Sequence, residues 1–210
     1  MSESIEAEVL SLSKATPAII LSSGFSTRLG EPKSLVQVSG KTLLSHAVEK
    51  LLFAGCNPVV VVVNKELQFD SVLNSKGANV VVNNNPENGR TGSLKVALNS
   101  ILADLGRMPH SVIMSPIDRP GWKASHVTQL IESESSSCLY QDGRNGHPVK
   151  LVKDDLLGIM NASDDTPLRD LVKFDKTEVF DALLSLNVDT PDDLVELDKY
   201  SEFFVELETQ

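Results

Sequence analysis

Apolar runs and amphipathic stretches alternate along most of this chain. The apolar runs predict buried strands at about 18–22, 59–63, 79–82 and 112–114. Apolar residues at helical spacing predict helices over 43–52, 67–75, 92–102 and 125–131. Strands that alternate with helices through short connections are typical of a Rossmann-like α/β fold with a doubly wound, mostly parallel sheet.

The regular alternation ends in the C-terminal third of the chain. Two extended segments, 138–140 and 149–152, flank the turn-rich stretch 141–148, and they predict a small antiparallel excursion. Further elements are predicted beyond it: short helices near 153–160 and 166–172, a last strand at 184–188, and a helix capped by Thr190 that begins at Pro191. Residues 1–16 are expected to form a flexible N-terminal extension, which leaves 17–210 as a single domain.

The stretch from Pro17 to Lys33 carries the first sign of function. An apolar strand at 18–21 leads into small and polar residues, which are followed by the cations Arg28 and Lys33. Small residues let backbone N–H groups approach an oxyanion, and nearby cations neutralise its charge. The pattern therefore predicts a phosphate-binding loop at the end of a strand.

Commoner phosphate and nucleophile motifs do not fit this loop. Five residues separate Gly24 from Gly30, and Glu31 stands where a Walker A loop requires lysine. The chain contains no G-x-G-x-x-G run, and Arg28 occupies the position at which a nucleophile elbow around Ser26 requires glycine. The loop is therefore predicted to bind phosphate without being a P-loop.

Two aspartates follow predicted strands at the carboxyl edge of the sheet. Asp118 comes after the strand at 112–114, and Asp189 follows the strand at 184–188. Ligands of open α/β sheets bind at this edge. Each aspartate alone is better explained as a loop residue or a helix cap. Beside a phosphate loop the pair predicts a Mg²⁺ site, because magnesium takes one or two carboxylates together with water and substrate phosphates.

Two other loops are candidates for substrate contacts. Gly92 and Ser93 lie where a helix is predicted to begin, so Ser93 is either a helix cap or part of a nucleotide site. The Gly-rich stretch 144–148 contains Asn145 and His147, and it is either a solvated turn or a mobile loop that binds an acceptor.

The composition narrows the class of partner. A net charge of −10 and a pI near 4.8 argue against broad nucleic-acid binding, which needs a basic face. Cys56 and Cys138 are far apart, so we expect buried thiols rather than a disulfide or a metal site. No run reaches the roughly 18 apolar residues of a membrane span, and the first residues lack a signal-peptide pattern. We expect a cytoplasmic protein that binds neither nucleic acid nor membrane.

The phosphate loop also resembles a known family. Leu21-Ser-Ser-Gly24-x-Ser26-x-Arg28-Leu-Gly30-x-x-Lys33 is similar to the L-x-x-G-x-S-x-R-M-G-x-x-K loop of the molybdenum-cofactor nucleotidyltransferases, the MobA-like NTP transferases. Later segments resemble the same family in the same order along the chain: 88–94, 114–120, 143–148 and 187–194. The resemblance implies the fold of the nucleotide-diphospho-sugar transferases. It departs from the family at Ser22-Ser23, Leu29 and Ile117, where Ala-Ala or Ala-Gly, Met and Gly are usual.

The resemblance implies a Mg²⁺-dependent nucleotidyltransferase that moves NMP from an NTP to a phosphorylated acceptor and releases pyrophosphate. It implies Arg28 and Lys33 as catalytic residues, Asp118 and Asp189 as metal ligands, and Asn145 and His147 as acceptor-binding residues. The implied nucleotide-binding residues are Leu21, Ser22, Ser23, Gly24, Ser26, Gly92 and Ser93.

Position 23 bears on which branch of the family the chain resembles. Ser23 is bulkier than glycine and would crowd a purine, so the loop looks most like the branch that transfers CMP to molybdopterin. CTP is therefore the favoured NTP, molybdopterin the favoured acceptor, and a molybdoenzyme apoprotein a further implied partner.

Two alternatives remain open from the sequence. Thr27-Arg28-Leu29 also resembles the G-x-G-T-R-L loop of enzymes that act on sugar phosphates or other alcohol phosphates, although Ser26 replaces its second glycine. A non-catalytic protein that binds and delivers the molybdenum cofactor would keep the pocket but tolerate the loss of Asp118.

Overall fold

The computed structural model describes residues 15–205, which contain one seven-stranded sheet. The strands are β1 (Ala18–Ser22), β2 (Gln37–Val38), β3 (Lys41–Thr42), β4 (Val59–Val63), β5 (Asn79–Val82), β6 (Ser111–Pro116), β7 (Ser137–Gln141), β8 (Arg144–Val152) and β9 (Asp175–Glu178). The large sheet has the order β5-β4-β1-β6-β8-β7-β9, and only β8 runs antiparallel to its neighbours. β2 and β3 form a separate antiparallel pair. The predicted α/β fold with its antiparallel excursion is confirmed.

Helices connect the strands and cover both faces of the sheet. Within the described range they are α1 (Leu43–Phe53), α2 (Gln68–Asn74), α3 (Gly89–Leu105), α4 (Ala124–Glu132), α5 (Lys153–Asn161), α6 (Leu168–Leu171) and α7 (Pro191–Lys199). The Thr42 hydroxyl accepts a hydrogen bond from the Ser45 N–H at 3.1 Å, which caps α1 as its sequence predicts. Gly55, with φ +83°, ends the turn that follows α1.

The interior strand β4, which lies between β5 and β1, supplies side chains to two hydrophobic cores. Its five valines are all buried. Val59, Val61 and Val63 pack in the core beneath α1 and α4, whereas Val60 and Val62 pack in the core beneath α3 and α5. A strand covered on both faces needs apolar side chains at every position, which explains why this run does not alternate.

The predicted strand at 184–188 is wrong. Val188 is buried, but its N–H donates to the carbonyl of Asp118 at 2.9 Å, outside the sheet. A few residues earlier, the N–H of Leu183 donates to the carbonyl of Gly121 at 2.7 Å. The segment packs against the loop after β6, and burial against a loop produces the same apolar pattern as burial in a sheet. This pairing brings the residues after Val188 next to Asp118.

The β7–β8 hairpin is tighter than the predicted loop at 141–148. Its turn consists of Asp142 (φ +51°) and Gly143 (φ +82°), and two positive φ angles in succession are the geometry that a two-residue hairpin favours. The rest of the stretch belongs to the strands. β9 was not predicted, because Asp175-Lys-Thr-Glu178 is a polar edge strand without apolar alternation.

The predicted N-terminal extension lies mostly outside the described residues, which begin at Ala15. At its end, the carbonyl of Thr16 accepts a hydrogen bond from the Asn57 N–H at 3.1 Å. No helix between residues 15 and 205 combines the length and apolarity that crossing a membrane requires.

Candidate active site

The loop after β1 folds around Ser26. This serine has φ +52°, a region that few residues other than glycine occupy. Its hydroxyl accepts a hydrogen bond from the Lys33 N–H at 3.2 Å, and its carbonyl accepts from the N–H groups of Leu29 and Gly30 at 3.1 and 3.2 Å. Gly30 has φ +84°, where a side chain would be strained. These contacts fold the loop back on itself, so that Lys33 lies beside the end of β1.

A buried polar network joins this loop to α3. The Ser23 and Ser93 hydroxyls are 2.8 Å apart, and Ser93 donates its single proton to the carbonyl of Gly89 at 3.0 Å, so Ser23 is the donor to Ser93. Asn83 donates to the same Ser93 oxygen at 3.1 Å, and Asn64 donates to the Ser23 carbonyl at 3.3 Å. Ser93 therefore lies inside the first turns of α3 and does not cap it.

The two aspartates meet around the ammonium of Lys33. Lys33 Nζ lies 2.6 Å from Asp189 Oδ1 and 3.7 Å from Asp118 Oδ2. Arg28 Nη1 contacts the other oxygen of Asp189 at 2.6 Å, and Arg90 Nη2 is 3.9 Å from Asp118 Oδ2. The fold thus brings together the two predicted cations and the two predicted metal ligands. Lys33 and Asp189 are 156 residues apart in the sequence.

Asp189 is held as a carboxylate by its neighbours. The hydrogen bond from Lys33, assisted by the charges of Lys33 and Arg28, lowers the pKa of Asp189. Asp193 accepts the backbone N–H groups of Asp189 and Thr190 at 2.8 and 2.7 Å within the capping box of α7, as the helix start at Pro191 predicts. The start of α7 therefore fixes the position of the Asp189 backbone.

The carboxylate pair fits a divalent cation. Asp118 Oδ1 is buried and has no hydrogen-bond partner, and such an atom is costly unless something else pairs with it. Over residues 15–205 no group of three or more His, Cys, Asp or Glu side chains converges on one point. A cation here would have two carboxylates and would draw its other ligands from water and phosphate, which is how magnesium is commonly bound.

A cavity of about 240 Å³ opens between the loop and Asp118, whereas Asp189 and Arg28 do not line it. Lys33 and Asp118 line it together with six of the seven predicted nucleotide-binding residues, which are Leu21, Ser22, Ser23, Gly24, Ser26 and Ser93. The seventh, Gly92, does not line it, because its N–H donates to the carbonyl of Asp164 at 3.0 Å on the other side of α3. A Cβ on Gly24 would meet nothing within 4 Å, so the protein leaves its backbone open to a ligand.

A second cavity of about 380 Å³ adjoins the first. Arg90 and Pro116 line both cavities, and His147 lines only the second. Asn145, the other predicted acceptor residue, is exposed on β8 and lines neither. The structure therefore brings His147, but not Asn145, next to the site.

Several residues of the site were not predicted from the sequence. Arg90 lies one residue after the start of α3, within a segment that resembled the nucleotide-contacting part of the family, but no local pattern singled out its side chain. Asn64 and Asn83 follow β4 and β5, and their position at strand ends is the signal that could have identified them.

The doubly wound sheet, with a cation-bearing loop and paired carboxylates at its carboxyl edge, is the arrangement of the nucleotidyltransferase class. Residues 18–191 match the model of the MobA-like NTP transferase domain, and the chain belongs to this family. Among curated proteins it is 29% identical over 143 residues to nicotine blue oxidoreductase of Paenarthrobacter nicotinovorans, a match that covers 62% of this chain and 68% of that protein.

Solved structures share the fold at low identity. The manganese complex of Rv0371c from Mycobacterium tuberculosis H37Rv has a TM-score of 0.69 at 21% identity, covering 89% of this chain and 99% of that one. The inositol-1-phosphate CTP transferase from T. maritima has a TM-score of 0.67 at 19% identity, and the match covers 93% of this chain and 97% of that one. The molybdopterin-guanine dinucleotide biosynthesis protein A from Archaeoglobus fulgidus has a TM-score of 0.61 at 18% identity, and the match covers 89% of this chain and 99% of that one.

Proposed function

We propose that this protein transfers NMP from an NTP, with CTP favoured, to a phosphorylated acceptor, with molybdopterin favoured. The observation that carries the proposal is the meeting of Asp118 and Asp189 around Lys33, which together with Asp118 lines a cavity formed by the phosphate loop. One curated relative is named as an oxidoreductase, but cations that face paired carboxylates favour phosphoryl chemistry.

The reaction needs no protein nucleophile. An oxygen of the acceptor phosphate attacks the α-phosphorus of the NTP and forms a new P–O bond. The bond from the α-phosphorus to the oxygen that bridges to the β-phosphate breaks, and pyrophosphate leaves with its electron pair. Because the attacking oxygen is already anionic, no general base is required, and catalysis consists of positioning and charge neutralisation.

The residues of the loop have distinct roles in this proposal. Lys33 and Arg28 hold the triphosphate and stabilise the charge that develops on the departing pyrophosphate. Gly24 gives the phosphates access to the backbone, while Ser23 and Ser93 line the nucleotide. Lys33 is well placed to redirect its ammonium, since it already lies within 4 Å of both carboxylates.

Asp118 and Asp189 would hold Mg²⁺. The unpartnered Oδ1 of Asp118 and the manganese complex of a neighbouring fold both support a divalent cation here. Such an ion supplies Lewis-acid charge and a template for phosphate oxygens. Asp189 keeps its carboxylate charged for this purpose down to low pH, since Lys33 lowers its pKa.

The rival acceptors are sugar phosphates and other alcohol phosphates. The shared fold with an inositol-1-phosphate CTP transferase supports CTP as well as this alternative, and the shared fold with a molybdopterin-guanine protein supports molybdopterin. The rival of another class is a carrier that binds the cofactor without chemistry.

Pyrophosphate release tests the proposal. Purified protein would be given Mg²⁺, molybdopterin and, in separate reactions, CTP, GTP, ATP or UTP. We expect release with CTP, and at least a hundredfold less in Asp118→Asn, because the unpaired Oδ1 becomes a neutral amide atom. Asp104→Asn, an exposed change on α3, serves as the matched control.

Each outcome has one interpretation. Release with a different nucleotide keeps the transfer chemistry and replaces CTP. If no pyrophosphate is released with any of the four nucleotides although molybdopterin binds tightly, the result supports the carrier and overturns the transferase. If no pyrophosphate is released and molybdopterin does not bind, the result contradicts molybdopterin as the acceptor. Release that survives in Asp118→Asn contradicts the metal assignment.

A further inference from the structure

The second cavity has mainly apolar walls. Met114 of β6, Leu168 of α6 and Phe174 form its sides, and Pro116 separates it from the nucleotide cavity. Its volume of about 380 Å³ is within the range of small-molecule sites. A ligand that exposed many hydroxyl groups here would lose its hydrogen bonds to water without replacement, so the cavity favours an apolar body.

Arg90 connects this cavity to the carboxylates. Its side chain is 64% exposed, and its Nη2 lies 3.9 Å from Asp118 Oδ2. An exposed ion pair at that distance contributes little, so the guanidinium can turn to an incoming anion at small cost. Arginine binds phosphate with two parallel hydrogen bonds, and this one lines both the first cavity and the second.

His147 adds a neutral polar group to the apolar walls. Burial, assisted by the nearby charge of Arg90, lowers the pKa of His147 to about 4. The imidazole is therefore uncharged at neutral pH, and its buried Nδ1 has no hydrogen-bond partner. A neutral imidazole matches a neutral donor or acceptor on a ligand rather than a phosphate. Within residues 15–205, Arg90 and Arg169 are the two cations that line the cavity, and Arg90 is the one that also lines the nucleotide cavity, which makes it the better placed phosphate contact.

We propose that Arg90 binds the acceptor's phosphate, and that the acceptor is a phosphate monoester of a flat, largely apolar ring system rather than of a polyol. The ring occupies the space between Met114, Leu168 and Phe174 and offers a neutral polar group to His147. This inference rests on the proposed function, since it places the attacking phosphate between the two cavities, beside Asp118. It makes Arg90 a residue that selects the acceptor, in addition to the loop cations that bind the NTP.

Calorimetric binding of two simple probes tests the inference. We expect 2-naphthyl phosphate to bind at least tenfold more tightly than myo-inositol 1-phosphate. Arg90→Gln should weaken 2-naphthyl phosphate by about 10- to 100-fold, the usual range for a lost hydrogen bond to a charged group. The same variant should leave the weaker binding of 2-naphthol unchanged. Arg107→Gln, an exposed change outside both cavities, is the matched control.

A second variant separates the ring from the phosphate. Leu168→Ser should weaken 2-naphthyl phosphate and 2-naphthol alike, with little effect on myo-inositol 1-phosphate. Equal binding of the two phosphates, or an Arg90→Gln variant that binds 2-naphthyl phosphate normally, would overturn the inference.

The same samples distinguish this failure from failure of the proposed function. Pyrophosphate release with myo-inositol 1-phosphate, and none with aromatic phosphates, would keep the transferase and overturn the aromatic acceptor. The protein could instead bind 2-naphthyl phosphate through Arg90 but release no pyrophosphate with any NTP and any of these acceptors. That result would keep the binding subsite and overturn the transferase.

Discussion

Lys33 is the residue at which the phosphate loop and the C-terminal segment meet. Its backbone N–H closes the loop on Ser26, and its ammonium contacts Asp189 at 2.6 Å. Only 14% of its side chain is exposed, so the charge is directed into the site and not into solvent. One residue thereby shapes the loop through its backbone and charges the cavity through its side chain.

We expect Lys33→Met to lower kcat/KM by about 10- to 100-fold, because a hydrogen bond to a charged group contributes about 1.5–3 kcal/mol. The backbone bond to Ser26 remains, so the loop should keep its shape. Steady-state pyrophosphate release measures the effect, with Lys76→Met, an exposed change in the loop before β5, as the control. A loss of less than about threefold would contradict the catalytic role of Lys33.

At the level of elements, the segment before α7 carries Asp189 to the site. Its path is fixed by backbone hydrogen bonds to the loop after β6, from Leu183 to Gly121 and from Val188 to Asp118. Gly121 permits this close approach, since a Cβ there would lie 2.1 Å from the carbonyl oxygen of Leu183. The relative position of the two aspartates therefore depends on a glycine that lines neither cavity.

Gly121→Ala should destabilise the protein by at least about 1–3 kcal/mol, the usual cost of an extra carbon in a packed site. It should also reduce Mg²⁺-dependent turnover, because the segment that carries Asp189 must move. Urea unfolding and pyrophosphate release measure the two effects. Gly158→Ala is the matched control: Gly158 lies within α5 and has nothing within 4 Å of an added Cβ, so alanine should stabilise the helix by about 0.5–1 kcal/mol. Unchanged stability in Gly121→Ala would contradict the tight contact with Leu183.

Over the whole molecule, charge is arranged unevenly. The chain has a net charge of −10, yet Arg28, Lys33 and Arg90 all lie at the carboxyl edge of the sheet beside the two aspartates. An acidic protein repels a free triphosphate, and 0.1 M salt screens this repulsion at distances beyond about 10 Å. Binding of the NTP that we propose as substrate would therefore depend on the local cations beside the cavity and on a divalent metal bound with the nucleotide.

Acid should destabilise the whole protein through its paired carboxylates. Hydrogen bonds from Lys95, His126 and Lys33 lower the pKa values of Asp164, Asp181 and Asp189, respectively. A carboxyl whose folded pKa lies below the unfolded value, about 3.9, stabilises the fold above that value and loses this effect as the pH falls through the folded pKa. We therefore expect the urea midpoint to fall steeply below about pH 4.

One variant shows whether these pairs are responsible. The difference in urea midpoint between wild type and Asp181→Asn should be largest near pH 6 and shrink towards pH 3. A constant difference between wild type and Asp181→Asn over this pH range would show that the contacts of Asp181 with His126 and Lys123 contribute no pH-dependent stability.

The sequence alone determined the elements whose signal is local. The buried strands β1, β4 and β6, the half-buried edge strand β5 and the helices between them follow from hydrophobic periodicity, because the apolar pattern depends only on which side chains face a core. The phosphate loop is also local, since Ser26, Gly30 and Lys33 shape it through bonds within a few residues. The small residues and cations of the loop, and the strand-end position of Asp118, could thus be read directly.

Only the tertiary structure decided which distant segments meet. β9 is polar and exposed at an edge, so it has no apolar pattern, and it exists because β7 supplies its hydrogen bonds. The segment at 184–188 has the apolar pattern of a strand, yet it packs on a loop because that loop supplies the backbone partners. Arg90 and His147 lie close to each other only because the fold places α3 and β8 beside one cavity. Periodicity records burial, but topology sets the partner that causes the burial, and that is why the apolar pattern alone did not show that Arg90 and His147 line one cavity.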